Sequence, residues 1–293
     1  MEVTLLGTGD TTGTPTVGCE CPTCERARDP GEDLRRRLRD RGATIGPDGG
    51  VERTRFSVHV RNETTGETLL IDASPDFRHQ FLREDLAPPD AAVITHIHFD
   101  HLDGLGNCYR LVEDIEVAAA DERDPETGES VAETVASDYA YLDPVTVAPQ
   151  PPLEPFELAG LDVTLVPVDH PPLLCYGVVV EEPGSGATLG ITGDTSYDVP
   201  TASREALADP DLLLADAIVP AAACEHHPLG GRHHGPDDVP RTFGTKHMTR
   251  EGALALADDL AADRTRLVHV AHFYPADEAF AEPLAVDGER YVL

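Results

Sequence analysis

The chain has 293 residues, 40% of them apolar, enough for a substantial core in one or two domains. Asp and Glu number 54 against 22 Lys and Arg, giving a net charge of −32, and Lys246 is the single lysine. No apolar run approaches the ~18 residues of a membrane span, and Met1–Leu6 lacks the basic start and apolar stretch of a signal peptide, so a membrane or secreted protein is not expected; a binding mode needing a large basic face is disfavoured as well.

The first strand-like runs are Val3–Thr8, Phe56–Arg61, Thr68–Asp72 and Ala91–Thr95. Between and after them, helices are expected at Thr23–Arg41, Phe77–Leu86, Leu102–Val112 and Gly128–Tyr139. Pro149 to Pro155 is a Pro-rich connection without a period, suited to joining two halves of one fold. A second strand series follows at Leu161–Val168, Tyr176–Glu181, Thr188–Thr192, Leu212–Val219 and Arg266–Val270, with a helix at Arg250–Ala262. The helix over Thr23–Arg41 contains Arg35-Arg36-Arg37, an anion contact or, more simply, an exposed face with interspersed Glu and Asp.

Thr95-His96-Ile97-His98-Phe99-Asp100-His101 directly follows an apolar strand. Alternate residues of an extended chain share a face, so His96 and His98 can address one metal, while Asp100 and His101 sit where the chain turns into a helix and can address a neighbouring one. Imidazole and carboxylate ligands suit zinc, manganese or iron.

This segment resembles the HxHxDH signature of the metallo-β-lactamase superfamily. The remaining elements of that family's pattern occur in order: Leu69-Leu70-Ile71-Asp72, Val168-Asp169-His170, Gly190-Ile191-Thr192-Gly193-Asp194 and Val268-His269. The resemblance spans nearly the whole chain and implies a single domain of residues 1–293 with a four-layer αββα sandwich. It further implies that His96, His98 and His170 hold one divalent metal, that Asp100, His101 and His269 hold a second, and that Asp194 bridges them. Asp72 would orient a ligand by hydrogen bonding.

Cys19, Cys21 and Cys24 crowd one loop, at about residues 18–24, and in a reducing compartment such a cluster reads as a metal site before a disulfide. Tetrahedral zinc needs a fourth ligand, which must come from far along the chain. Gly7-Thr8-Gly9 followed by C-x-C-x-x-C resembles the PhnP-type phosphodiesterase branch of the superfamily. That branch implies His272, three residues after His269, as the fourth ligand of a structural zinc; the roles of His269 and His272 could also be exchanged. The same branch implies His247, one helix before the final ligand, as a general acid or phosphoryl-oxygen donor. His226, His227, His233 and His234 have no counterpart there and read as a solvated loop, a pocket lining or an extra metal site. Thr11, Thr12 and Thr14 are either substrate contacts or ordinary turn formers.

The resemblance implies a dinuclear hydrolase, foremost a phosphodiesterase for small or cyclic phosphodiesters, using two zinc or manganese ions beside one structural zinc. The alternatives are a tRNA 3′-processing endonuclease of RNase Z type, which would need a basic RNA-binding surface, a thioester or lactam hydrolase, and a non-catalytic metal-binding protein. The expected partner is a small phosphodiester; no membrane is expected, nucleic acid is disfavoured, and a homodimer is left open. Abundant acids with almost no lysine resemble the cytosolic proteins of salt-in halophiles, where a Debye length of about 3 Å at molar salt suppresses self-repulsion.

Overall fold

The computed structural model describes residues 1–293. The first half of the chain lays down β1 (Glu2–Gly7), β2 (Ser57–Arg61), β3 (Thr68–Ile71), β4 (Ala91–Ile94), β5 (Ile115–Ala120) and β6 (Val145–Gln150), which form one sheet in chain order. A second sheet contains β7 (Phe156–Leu158), β8 (Leu161–Val168), β9 (Cys175–Glu181), β10 (Thr188–Ile191) and β11 (Leu212–Asp216). A small separate sheet follows, formed by β12 (Gly231–His234), β13 (Pro240–Phe243) and β14 (His247–Met248). The chain then completes the second sheet with β15 (Thr265–Val268), beside β11, and the first with β16 (Arg290–Val292), antiparallel to β1.

Alternation along the strands explains the layering. On β11, Leu212 and Leu214 join the large core shared by both sheets, whereas Leu213 and Ala215 turn to a second core. That second core holds Leu34 and Leu38 of α2 (Gly31–Asp40), which follows the short α1 (Pro22–Arg28), and Leu256 and Leu260 from the last long helix. On the first sheet, α3 (Phe77–Glu84) packs on β1, and α5 (Val131–Asp138) packs on β5 and β6, the brief α4 (Phe99–Leu102) lying between them in sequence. On the second, α6 (Thr201–Ala206) packs on β8 and α7 (Arg250–Asp259) on β11 and β15. The result is the αββα sandwich. Truncating a fully buried residue such as Leu256 to Ala costs about 2–5 kcal/mol in a core of this kind.

Several elements depart from the sequence expectation. The helix expected over Thr23–Arg41 breaks between α1 and α2 at Asp29-Pro30, because proline lacks an N–H and crowds the preceding residue. The helix expected from Gly128 begins at Val131, where Ser130 and Glu133 form a reciprocal capping box. Leu102–Val112 is mostly a 3₁₀ helix, over Asp103–Arg110. The Pro-rich connection starts inside β6, which tolerates Pro149 because it is the sheet's edge. The histidine-rich stretch is a loop only in part, since His233 and His234 belong to β12. The run Arg35-Arg36-Arg37 in α2 leans on acids instead of presenting a free anion site: Arg36 and Arg37 reach Asp33, and Arg35 reaches Asp29.

Strand direction decides where chemistry can gather. β3 and β4 are parallel, as are β10, β11 and β15, and β8 runs with β10 because each is antiparallel to β9. Within each sheet, the residues just beyond these strands therefore emerge at one edge.

Candidate metal centre

Those strand ends deliver the side chains one after another. Asp72 follows β3, His96 and His98 follow β4, and His170 follows β8. Asp194 follows β10, Asp216 closes β11 and His269 follows β15, while Asp100 and His101 stand on α4. Asp72 and His269 adopt left-handed backbone, φ 59° and 56°, a strain of order 1–3 kcal/mol for a non-glycine residue that the surrounding contacts must offset.

The side chains form two groups that share Asp194. In the first, His96 Nε2 lies 2.9 Å from His98 Nδ1, which lies 3.3 Å from His170 Nε2. Asp194 Oδ2 is 3.8 Å from His96 Nε2. In the second, Asp100 Oδ2 lies 3.7 Å from His101 Nε2 and 3.8 Å from His269 Nε2. Asp194 Oδ2 is 3.3 Å from each of those two nitrogens, so one oxygen serves both groups. Ligands about 2.0–2.2 Å from one tetrahedral ion stand about 3.3–3.6 Å from one another, and the spacings here, from 2.9 to 3.8 Å, bracket that range.

Two features show that the donor set fits cations. His101 Nε2 and His269 Nε2 are buried yet have no hydrogen-bond partner, although an orphaned buried group costs about 1–3 kcal/mol. The charge balance agrees. Burial pushes His96 well below its ordinary pKa, His170 down to about 3 and His98 downward, leaving neutral imidazoles with lone pairs to donate. Burial opposes the charged form of Asp194, yet His269 and His101 hold it well below the usual carboxylate range; burial likewise opposes ionised Asp100, which His269 and His101 hold at about 2. Burial also opposes a charged His101, but Asp194 and Asp72 hold its pKa well above normal, and Asp194, Asp100 and Asp216 hold His269 at about 9. The pocket is anionic and draws in whatever positive charge is available.

A surrounding ring of contacts fixes the tautomers. Asp72 accepts hydrogen bonds from Thr95 N and Thr95 Oγ1, each at 2.8 Å, and from His101 Nδ1 at 2.6 Å, leaving His101 Nε2 for the centre. His170 Nδ1 donates to the carbonyl of Lys246 at 3.1 Å. Asp216 accepts from Thr195 N and from His247 Nδ1, both at 3.0 Å, and its other oxygen has no hydrogen-bond partner. His247 keeps 16% of its side chain exposed, stacks on His269 with ring centroids 4.9 Å apart, and lies within metal-sharing reach of Asp194 and His269. It stands on β14, just before Thr249 caps α7.

Asp216 escaped the sequence reading. The signal was present: an apolar run Leu212–Ala215 ends in Asp216 as Leu69–Ile71 ends in Asp72.

The cysteine loop forms a second group. Cys19, Cys21 and Cys24 Sγ lie 3.3, 3.4 and 3.5 Å from His272 Nδ1, near the ~3.5 Å edge of a tetrahedral zinc with sulfur and nitrogen ligands. It is thus His272 that meets the thiols, and His269 that meets Asp194. Burial pushes the Cys24 thiol up to about 11, a penalty that a bound cation reverses. Thr23 Oγ1 donates to Tyr274 O at 2.5 Å, pinning the loop to the chain just after His272.

The other candidates gather no metal. Asp10 accepts from Thr12 N, Thr12 Oγ1 and Gly13 N, so this loop displays turn chemistry. His233 Nδ1 pairs with Thr242 Oγ1 at 2.8 Å, and His227 packs on Phe243; neither they nor His226 and His234 join a ligand group.

Residues 67–270 match the family profile of the β-lactamase superfamily domain. An octanoyltransferase of Porphyromonas gingivalis (strain ATCC BAA-308 / W83) is 26% identical over 293 residues, covering 97% of this chain; the chain spans about half, 49%, of that protein's length. A solved structure of a new diphosphatase from the PhnP family is 27% identical with a TM-score of 0.70, covering 100% of this chain and 97% of that one. The zinc-bound PqqB of Methylobacterium extorquens shares the fold at 21% identity and a TM-score of 0.70, with 100% of both chains covered.

Proposed function

Because the chain belongs to the metallo-β-lactamase superfamily, we propose that it is a dinuclear phosphodiesterase acting on small or cyclic phosphodiesters. The observation that carries this reading is Asp194 Oδ2, 3.3 Å from both His101 Nε2 and His269 Nε2 and 3.8 Å from His96 Nε2: a single carboxylate oxygen joins two complete ligand groups. His96, His98, His170 and Asp194 would hold one cation, zinc or manganese; Asp100, His101, His269 and Asp194 would hold the other. When bound, such a pair supplies Lewis-acid stabilisation of phosphoryl charge and an acidified water as nucleophile.

The chain's own residues do the rest. Asp72 keeps the proton of His101 on Nδ1, so that Nε2 stays a donor of electrons. Asp216 does the same for His247 through Nδ1, which leaves His247 Nε2 free to carry a proton to the departing oxygen. The depth of the buried ligands excludes bulk water, and the partly exposed His98 and His247 mark the side from which substrate approaches. Cys19, Cys21, Cys24 and His272 would hold a structural zinc that anchors the N-terminal loop beside His269.

The PhnP-family neighbour, named for a diphosphatase, favours phosphoryl chemistry over thioester or lactam hydrolysis. Octanoyl transfer is set aside for this chain, since only about half of that protein aligns with it. A charge of −32 disfavours a precursor-tRNA substrate and suits a cytoplasm rich in salt. The test is hydrolysis of bis(p-nitrophenyl) phosphate, a 2′,3′-cyclic nucleotide and a precursor tRNA in molar KCl. Turnover of the first two alone supports the reading; exclusive cleavage of the tRNA, or no turnover with metals bound, refutes it.

A further inference from the structure

The turn that joins β13 to β14 is Gly244-Thr245-Lys246, and it carries the single lysine among 22 Lys and Arg. Phe243 and His247 close the turn as directly paired residues. Gly244 takes left-handed backbone, φ 60°, which a side chain would strain, and its N–H donates to the carbonyl of Gly230 at 2.9 Å. On the other side, the Lys246 carbonyl accepts from His170 Nδ1 at 3.1 Å. The His247 ring, next in the chain, has its centroid 4.9 Å from that of His170 and 4.9 Å from that of His269, one residue from each ligand group. Contacts in space therefore fix this turn against both halves of the centre.

Lys246 is partly buried, and its ammonium forms no ion pair and no hydrogen bond within a chain that has 54 acidic residues. Its charge reaches the centre: burial is the main cause of the lowered pKa of His98, and Lys246 is among the positive charges near enough to add to it. A net charge of −32 repels an anionic substrate, so an uncommitted cation at this place works against the protein's own field. An ammonium is a compact charge on a flexible stem with three donors, able to follow a single oxygen, whereas a guanidinium fork is built to hold two.

We propose that Lys246 binds a non-bridging phosphoryl oxygen of the substrate, so that one turn supplies an anion clamp, Lys246, beside the proton carrier, His247. This inference rests on the phosphodiesterase reading. The Lys246 ammonium donates an N–H to that oxygen while His247 serves the departing one. A charge-assisted contact at a partly buried position is screened less than surface charges are, so it persists in molar KCl.

The test compares wild type, Lys246→Met, Lys246→Arg and Arg78→Met, all metal-loaded and in molar KCl. Arg78 is exposed on α3 and outside the centre, so its variant removes one positive charge elsewhere. Hydrolysis of bis(p-nitrophenyl) phosphate is measured beside calorimetric titration with inorganic phosphate and metal counting. Lys246→Met should lower kcat/KM about ten-fold, chiefly through KM, and weaken phosphate binding by a similar factor, the loss typical of one charged hydrogen bond. Lys246→Arg should recover most of both, and Arg78→Met should match wild type. A Lys246→Met protein that keeps both affinities, falls no further than Arg78→Met or loses metal overturns the clamp, and so does a Lys246→Arg protein no better than Lys246→Met. If wild type turns over no phosphodiester, yet binds phosphate in a way that Lys246→Met weakens and Arg78→Met does not, the phosphodiesterase reading falls and Lys246 remains an anion clamp. Neither turnover nor phosphate binding by wild type overturns both.

Discussion

His247 Nδ1 lies 3.0 Å from Asp216 Oδ2. The contact repeats, at the end of the second sheet, what Asp72 does for His101 at the end of the first, and in each case a strand-terminal carboxylate fixes an imidazole tautomer. The two histidines differ in exposure, since His101 is 1% exposed and His247 is open on one side. Replacing His247 by Ala should leave metal content intact and lower kcat about 10²–10⁴-fold, the usual contribution of a general acid. Asp216→Asn should give a smaller loss of the same kind. Elemental analysis beside steady-state kinetics checks both; loss of a metal from His247→Ala would make that residue a ligand instead.

Removing one thiol from the N-terminal loop separates the two kinds of site. Cys24→Ser should release one metal per chain and keep the pair at Asp194. Structural zinc is coupled to folding, so Tm should drop by roughly 10 °C, the shift that a few kcal/mol produces in a chain of this size. Calorimetry and metal counting on the same sample decide it, and an unchanged Tm would dissociate this loop from stability.

Salt should stabilise the protein far more than it does an ordinary one. The −32 charge repels itself across a surface with few compensating cations, and that repulsion shrinks as the Debye length falls from about 10 Å at 0.1 M to about 3 Å at 1 M. Tm measured across this range of KCl should rise by roughly 10 °C, a gain of a few kcal/mol. A flat response would remove the halophilic reading.

Much of the centre was legible because its residues sit just beyond apolar strands, so order in sequence maps onto place in space. His96, His98, Asp100 and His101 are adjacent in the chain and needed no long-range knowledge. His170, Asp194 and His269 each follow a strand of the second sheet, and the family pattern supplied their order. The small sheet of β12 to β14 was hidden, since Gly231–His234 carries no apolar alternation and is held instead by hydrogen bonds to Pro240–Phe243. β5 and β6 were missed because Ile115–Ala120 and Val145–Gln150 are rich in alanine or interrupted by proline, a weak strand signal; burial between β4 and β6 overrides it for β5, and pairing with β5 holds β6 at the edge. Asp216 was missed although it ends an apolar run as Asp72 does, because that signal alone does not separate it from a turn residue, and only the arriving His247 gives it a role.

His59 should make the fold sensitive to acid independently of the metals. It is 4% exposed on β2, its ring edge-on to Phe81, and burial, helped by Arg290, pushes its pKa down to about 4. The unfolded chain, titrating near 6.5, then binds more protons than the fold between pH 4 and 6.5. Stability is therefore full above pH 6.5 and falls as pH drops through that window, by about 3 kcal/mol in all. Subtracting the pH-dependent unfolding free energy of His59→Leu from that of wild type isolates this limb. A difference that stays constant with pH would mean that His59 is not held neutral.

Metal content of wild type and Asp194→Ala, measured beside phosphodiesterase turnover, tests the centre most directly. Wild type should carry about three metals per chain, one resisting mild chelation, as a four-ligand thiolate site and a shared-carboxylate pair require. Asp194→Ala should retain only the resistant metal and lose turnover. An Asp194→Ala protein with full metal content and undiminished activity would contradict the account.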